Sequence, residues 1–418
     1  MKKLLAAAAV ALPALTLTSF AVQAESLLIM DATLHTMGGK GVIESADILI
    51  EDGKITRIAD QIPTNKSIPV INAAGRPVTP AMFAGVTVSG LSEVEAVSEA
   101  VDSRIRELYT GIMHPEFDVR TAYTPHTSVI PITRIEGFGY ALLGATSSDR
   151  SIAGSGGLVR FDGGYDSFEG NSVVYIDIDG HSADFVGGSR AAHWMLLEQA
   201  FAEMRADDDD DLDLINATGQ RVMKDTQRKG VFVFNANRAS DIVQTVKFAK
   251  AHKIRAAIHG GREAWIVADA LAAANVPVII NALDNLPADF DSLGARLDNA
   301  ALLEAAGVTI MFTSGETHNA RKVRQVAGNA VAYGLDYETA LAALTTTPAD
   351  VFGGASRELT KGAQADLVIW SGDPLEVTSA ADVVIIGGKA DSMQSRQTLL
   401  RDRYLPTNPD MPRAYINP

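Results

Sequence analysis

Between residues 230 and 334 short apolar runs alternate with amphipathic stretches, and no other feature of this 418-residue chain restricts its fold so tightly. Residues 230–234 and 255–258 are apolar, β-branched or aromatic runs too short for helices. Residues 241–251 between them place Ile242, Val246 and Ala249 on one helical face. The pattern then repeats, with a helix predicted over 263–274, strands at 276–280 and 307–312, and a helix near 322–334. Strands separated by helices of this length pair in parallel, each helix crossing back over the sheet. The count and span favour an α/β fold with a (β/α) barrel over an open sheet.

Both flanks read as β structure. Residues 46–58 form two strand patterns around Asp52-Gly53, a dipeptide that supplies the two positive φ angles of a tight hairpin. Residues 365–370 and 381–386 are β-branched runs bounded by Gly and Pro. The predicted organisation is therefore β structure over 25–78 and 360–392, a barrel over 79–359, and an extended tail over 393–418, four of whose last fifteen residues are prolines.

Met1 to Ala24 has the form of a secretory signal peptide: Lys2 and Lys3, an apolar stretch over 4–17, then small residues before a cleavage point at Ala24. A periplasmic or secreted protein is expected, with no membrane contact after cleavage. The chain has no cysteine, which excludes disulfides, thiolate metal sites and Cys nucleophiles. Its net charge of −15 argues against nucleic acid as a partner, because phosphate binding needs surplus Lys and Arg.

Smaller signals mark local structure. Ser92 and Glu95 have capping-box spacing, and Ser189 precedes a long helical pattern. Residues 207–211 with Asp213 form an acidic run that lacks the Gly and Glu of a calcium loop, so a solvated loop is expected. Gly154-Ser155-Gly156-Gly157 lacks nucleophile-elbow spacing and reads as a flexible βα loop near the barrel mouth. No phosphate-binding glycine motif occurs.

Several segments, in the right order, resemble the amidohydrolase superfamily. Residues 47–55 resemble its N-terminal sheet, and 78–83 its entry to the first barrel strand. Residues 346–353 resemble its last barrel helix, and 361–370 its return to the β domain. Residues 235–242 and 317–321 are similar to the branch grouped with imidazolonepropionase. The resemblance implies a (β/α)8 TIM-type barrel with a small β-sandwich made from both chain ends, and a hydrolase of non-peptide or small-amide C–N bonds, such as those of a dipeptide or cyclic amide. It also implies a divalent metal such as zinc, held by a His-x-His after the first strand, histidines after the fifth and sixth, and an Asp after the eighth.

Most of those positions are substituted here. The His-x-His slot falls on Val86-Thr87-Val88, the fifth-strand slot on Asn235 and the eighth-strand slot on Glu316. Only His259 retains its type, and His318 stands two residues beyond Glu316. The metal set the resemblance implies is thus His259, Glu316 and His318, with Glu316 also the catalytic base. Asn235, Arg238 and Arg321 would bind substrate, the arginines by pairing with a ligand carboxylate. The other six histidines show no constellation. Two readings stay open: a small-amide hydrolase with a reduced metal site, and a pseudoenzyme without metal that binds a small molecule or a partner. A homo-oligomer, or pairing with an active homologue, is expected on the same grounds.

Overall fold

The computed structural model describes residues 26–405, apart from 95, 106–112, 147–150, 186 and 208–212. The signal-peptide segment, most of the acidic run and the tail beyond 405 lie outside the described residues.

The chain opens with β1 (Ser26–His35), β2 (Val42–Glu51), β3 (Lys54–Ala59), β4 (Val70–Asn72) and β5 (Pro77–Pro80). Asp52 and Gly53 both take positive φ in the β2–β3 hairpin, as their sequence predicts.

Eight strands then form the barrel sheet: β6 (Met82–Thr87), β7 (Phe138–Leu143), β8 (Ile152–Arg160), β9 (Phe168–Asp177), β10 (Val231–Ala236), β11 (Ala256–Gly260), β12 (Val278–Ile280) and β13 (Ile310–Phe312). Helices α1 (Val129–Arg134), α2 (Gly180–Phe185), α3 (Arg190–Arg205), α4 (Ala217–Lys229), α5 (Ala239–His252), α6 (Ala268–Ala274), α7 (Asn299–Ala305), α8 (Val323–Ala332), α9 (Tyr337–Leu344) and α10 (Thr347–Phe352) connect or cover them. The last three strands, β14 (Leu367–Trp370), β15 (Ala381–Ile386) and β16 (Lys389–Ala390), return to the first sheet, where β14 pairs with β5. Both chain ends thus build one β domain of eight connected strands around its own apolar core.

From β9 onward neighbouring barrel strands are parallel, as the sequence alternation predicts. The first half departs from it. β8 runs antiparallel to both β7 and β9, so these three form a meander in place of two βα units. The expected glycine-rich loop at 154–157 is part of β8, a buried barrel strand. A Cβ on Gly156 would lie 2.1 Å from the Leu143 carbonyl oxygen, so the glycine permits close backbone approach rather than flexibility.

The two ends of the barrel sheet meet through side chains. Val86 N donates to Thr313 Oγ1 at 3.1 Å, and Val88 N to Thr317 Oγ1 at 3.0 Å. Gly85 makes that approach possible: its φ is +82°, and a Cβ there would fall 2.8 Å from Thr313 Cα.

Ser189 caps α3 as expected, its hydroxyl accepting from Ala192 N. Ser92 starts no helix; it sits in isolated bridges to Ser89 and Val101, and Glu95 is outside the described residues. The expected extended tail is helical over α11 (Arg396–Tyr404), where Ser395 and Thr398 make a capping box. Among the described residues no helix is long and apolar enough to cross a membrane.

Candidate functional site

A cavity of about 490 Å³ opens where β6, β9, β10 and β11 end, the face that carries the site in barrel enzymes. Parallel pairing fixes its floor. Asn235 of β10 is in register with Asp177 of β9 on one side and with His259 of β11 on the other. A row Asp177–Asn235–His259 therefore crosses three strands at one height, and all three residues line the cavity. Asn235 Nδ2 donates to Asp177 Oδ1 at 3.2 Å. Val86, Val88, Val101, Ala153 and Val233 make much of the remaining wall apolar.

Burial sets the charge state of this row. It pushes the Asp177 carboxyl up to about 7, and the nearby Asp179 carboxylate adds to the rise. Hydrogen bonds from the Asp179 backbone, Asn235 and Ser182 hold it back from going further. Burial alone lowers His259 to about 4, so its imidazole is neutral at physiological pH, with one N–H donor and one acceptor nitrogen. Near neutrality the floor thus combines a carboxyl balanced between its two forms, an amide and a neutral imidazole.

A buried pair stands behind Asp177. Its backbone N–H donates to the carbonyl of Ser151 at 2.9 Å, and the Ser151 hydroxyl lies 2.7 Å from His193 Nε2 of α3. Burial also lowers His193 to about 4. The pair fixes the edge of β8 against α3 and leaves His193 Nδ1 without a partner among the described residues.

The sequence-predicted residues divide. Asn235 and His259 are on the floor. Glu316 reaches only the rim, for a geometrical reason. His259 is in register with Ile279, and Ile279 with Met311, so Glu316 follows that layer by five residues and lies past the end of β13. There its carboxylate lies 3.0 Å from His318 Nε2 and accepts from Asn319 Nδ2 at 3.2 Å, with both Glu316 and His318 largely exposed. Arg238 precedes α5, Arg321 lies in the turn after Glu316, and neither lines the cavity; the cation that does is Arg104. Asp177 was not among the expected residues. Its signal was an acidic Asp-x-Asp directly after the apolar run 173–176.

The expected metal set is not assembled. A catalytic zinc takes three protein ligands. Among the described residues no group of three His, Asp or Glu side chains could hold a metal ion. The end of β6 supplies valines and Thr87, whose hydroxyl is engaged with Ser89 and Thr317. Asn235 turns its amide nitrogen toward Asp177. The residues present do not fit the metal centre that the resemblance implies.

Comparison with known proteins supports the fold. An amidohydrolase structure from Thermotoga maritima MSB8 superposes with a TM-score of 0.76 at 19% identity, over 87% of this chain and 99% of that one. A β-aspartyl dipeptidase from Fervidobacterium islandicum AW-1 matches with a TM-score of 0.52 at 14% identity, over 88% and 96%. A zinc-bound adenosine deaminase from Xanthomonas campestris matches with a TM-score of 0.50 at 16% identity, over 87% and 92%. In sequence, 92 residues are 39% identical to amidohydrolase tasK of Hapsidospora irregularis, 21% of this chain. The chain spans only 9% of that relative's length. No family model matches. The architecture is thus a barrel with a separate β-rich domain, the arrangement found in amidohydrolase structures.

Proposed function

We propose that this protein hydrolyses a C–N bond in a small amide, with Asp177 as its acid–base group and no metal centre of the family type. The observation that carries the proposal is the in-register row Asp177–Asn235–His259 at the cavity floor, where burial and the Asp179 carboxylate raise the Asp177 pKa. As a carboxylate, Asp177 takes a proton from water as that water attacks the amide carbonyl. As the acid it returns the proton to the leaving nitrogen. A group with a pKa near the working pH serves both steps. The N–H of neutral His259 donates to the carbonyl oxygen as charge develops there. Asn235 holds Asp177 in place through the bond from its amide nitrogen. Arg104 at the rim offers a cation for an anionic end of the substrate. An exported setting and a homo-oligomeric form belong to the same proposal.

One observation favours a second reading, a binding protein without turnover. Val86 and Val88 make the end of the first barrel strand apolar, where the resembled family is catalytic. Assays of the purified protein on dipeptides, N-acyl amino acids and cyclic amides, with zinc and with chelator, separate the two. The hydrolase reading expects turnover that survives chelation, rises through pH 7, and falls at least ~100-fold in Asp177→Asn, the scale of a lost general base. Turnover that requires zinc and ignores Asp177→Asn would overturn it. Saturable ligand binding without turnover would establish the binding protein.

A further inference from the structure

We infer that the opposite face of the barrel carries a second site, which binds an amphiphilic anion: an alkyl chain ending in a carboxylate or phosphate. A cleft of about 710 Å³, larger than the catalytic-face cavity, lies between α5 and α6 where β10 and β11 begin. Its volume is in the range of small-molecule sites. The floor is apolar, with Val231, Val246, Ala249, Ile254, Val276 and Pro277. On α6, Ala270, Ala273 and Ala274 face the cleft with side chains too short to fill it, while Leu271 is buried elsewhere in the core. The non-catalytic face of a barrel ordinarily serves stability alone. Ala270, Ala273 and Ala274 are exposed along this trough, while Val231, Ala249, Ile254 and Val276 beneath them are buried.

The charge around the cleft identifies the occupant. Lys250, Lys253 and Arg255 line it, and no Asp or Glu does, in a chain of net charge −15. None of the three makes an ion pair among the described residues; Arg255 Nη2 donates to the Val351 carbonyl at 2.7 Å. Lys250 and Lys253 stand at the C-terminal end of α5, where the helix dipole favours cations. That dipole accounts neither for Arg255, which lies beyond the helix, nor for the apolar trough beside all three. Cations at one edge of an apolar cleft complement a ligand with one anionic end and a hydrocarbon body.

The test is titration of the full-length mature protein with dodecanoate and with dodecyl phosphate below their micellar concentrations, with dodecanol as the neutral control. The expected result is saturable binding of one anionic amphiphile per chain. Dodecanol should bind at least ~10-fold more weakly, and each methylene removed from the carboxylate series should cost about four-fold in Kd. Lys250→Gln with Lys253→Gln should weaken dodecanoate at least ~10-fold. Ala273→Leu, which fills the trough, should weaken both anions, and Asp177→Asn should leave binding unchanged. The tighter of the two anions identifies the headgroup. Absence of saturable binding, equal binding of dodecanol, or binding that survives the double lysine variant would overturn the inference. So would loss of binding in Asp177→Asn, which would place the amphiphile on the catalytic face. The lysine variant keeps the test decisive if Ala273→Leu disturbs folding, because both lysines are exposed.

Discussion

At the scale of single residues, Asp177 links stability to the proposed chemistry. Its carboxyl titrates near 7 in the folded protein against 3.8 for an unperturbed group. Between those values the folded state holds a proton that the unfolded chain has released. The group therefore lowers stability as pH rises from about 4 to about 7, and the penalty stays constant above that. Buried His259, lowered to about 4, has the opposite sign: the unfolded chain binds the extra proton below its ordinary value, so stability rises with pH through that window. Asp177→Asn removes the first effect alone. At pH 8 it should stabilise the protein, by an amount on the order of a few kcal/mol, seen as a Tm raised by several degrees. At pH 4 the gain should vanish. A variant equally stable at both pH values relative to the parent would mean that Asp177 is charged throughout. If the gain appears together with lost turnover, the site sacrifices stability for a titrating carboxyl.

This residue also shows how far the site was legible. His259 and Asn235 could be found because each directly ends an apolar run, and register then sets them side by side. Glu316 lies five residues beyond the floor layer, since sequence spacing does not reveal where a short strand stops. Asp177 ends a strand too, yet its run follows a hairpin rather than a helix, so it fell outside the βα pattern.

At the scale of elements, β8 explains that omission. The second half of the barrel could be read because its strands and helices differ in period, and α5 and α8 fall close to their predicted spans. β8 could not, because Gly154-Ser155-Gly156-Gly157 has no apolar alternation and the packing against β7 is carried by backbone. Gly156 and Gly157 separate the two roles. A Cβ at Gly156 meets the Leu143 carbonyl at 2.1 Å, whereas one at Gly157 meets nothing nearer than the Asn171 carbonyl at 3.6 Å. Gly156→Ala should therefore cost about 3 kcal/mol or more, since backbone must move to admit the methyl group. Gly157→Ala should stay within about 1 kcal/mol, because an ordinary contact needs no movement. Urea unfolding of the two variants measures both. Equal, small losses would mean that residues 154–157 form a yielding loop after all.

At the scale of the molecule, two apolar cores are joined by buried charge. Arg357 lies on the segment that leaves α10 for the β domain, and it is 5% exposed. Its guanidinium pairs with Glu169 of β9 and donates to Asp366 Oδ2 at 3.2 Å, beside β14. It also stacks 4.4 Å from the ring centroid of Tyr140 in β7. Arg160 of β8 grips the same Asp366 at 2.9 Å, and Gly387 N donates to it at 2.6 Å. Burial works against the charge of Arg357 and lowers its pKa, with Tyr140 and Asp366 offsetting only part of that. Such a cluster contributes little net stability against an apolar core of equal volume, but removing one member leaves the others buried and unpaired. Arg357→Ala should thus cost about 3–5 kcal/mol. Arg76→Ala, which removes the half-exposed pair with Asp382, should cost under about 1 kcal/mol. Arg357→Met keeps the packing and strands the same acids, so its loss should approach that of alanine if charge dominates, and be much smaller if packing does. Because Asp366 sits between the two cores, the loss should be uneven. Calorimetry of Arg357→Ala should show the β domain melting ahead of the barrel, where the parent protein should unfold in one transition. A single transition at lower temperature would mean that the domains are coupled chiefly by their apolar contact, with the ion cluster only setting their register.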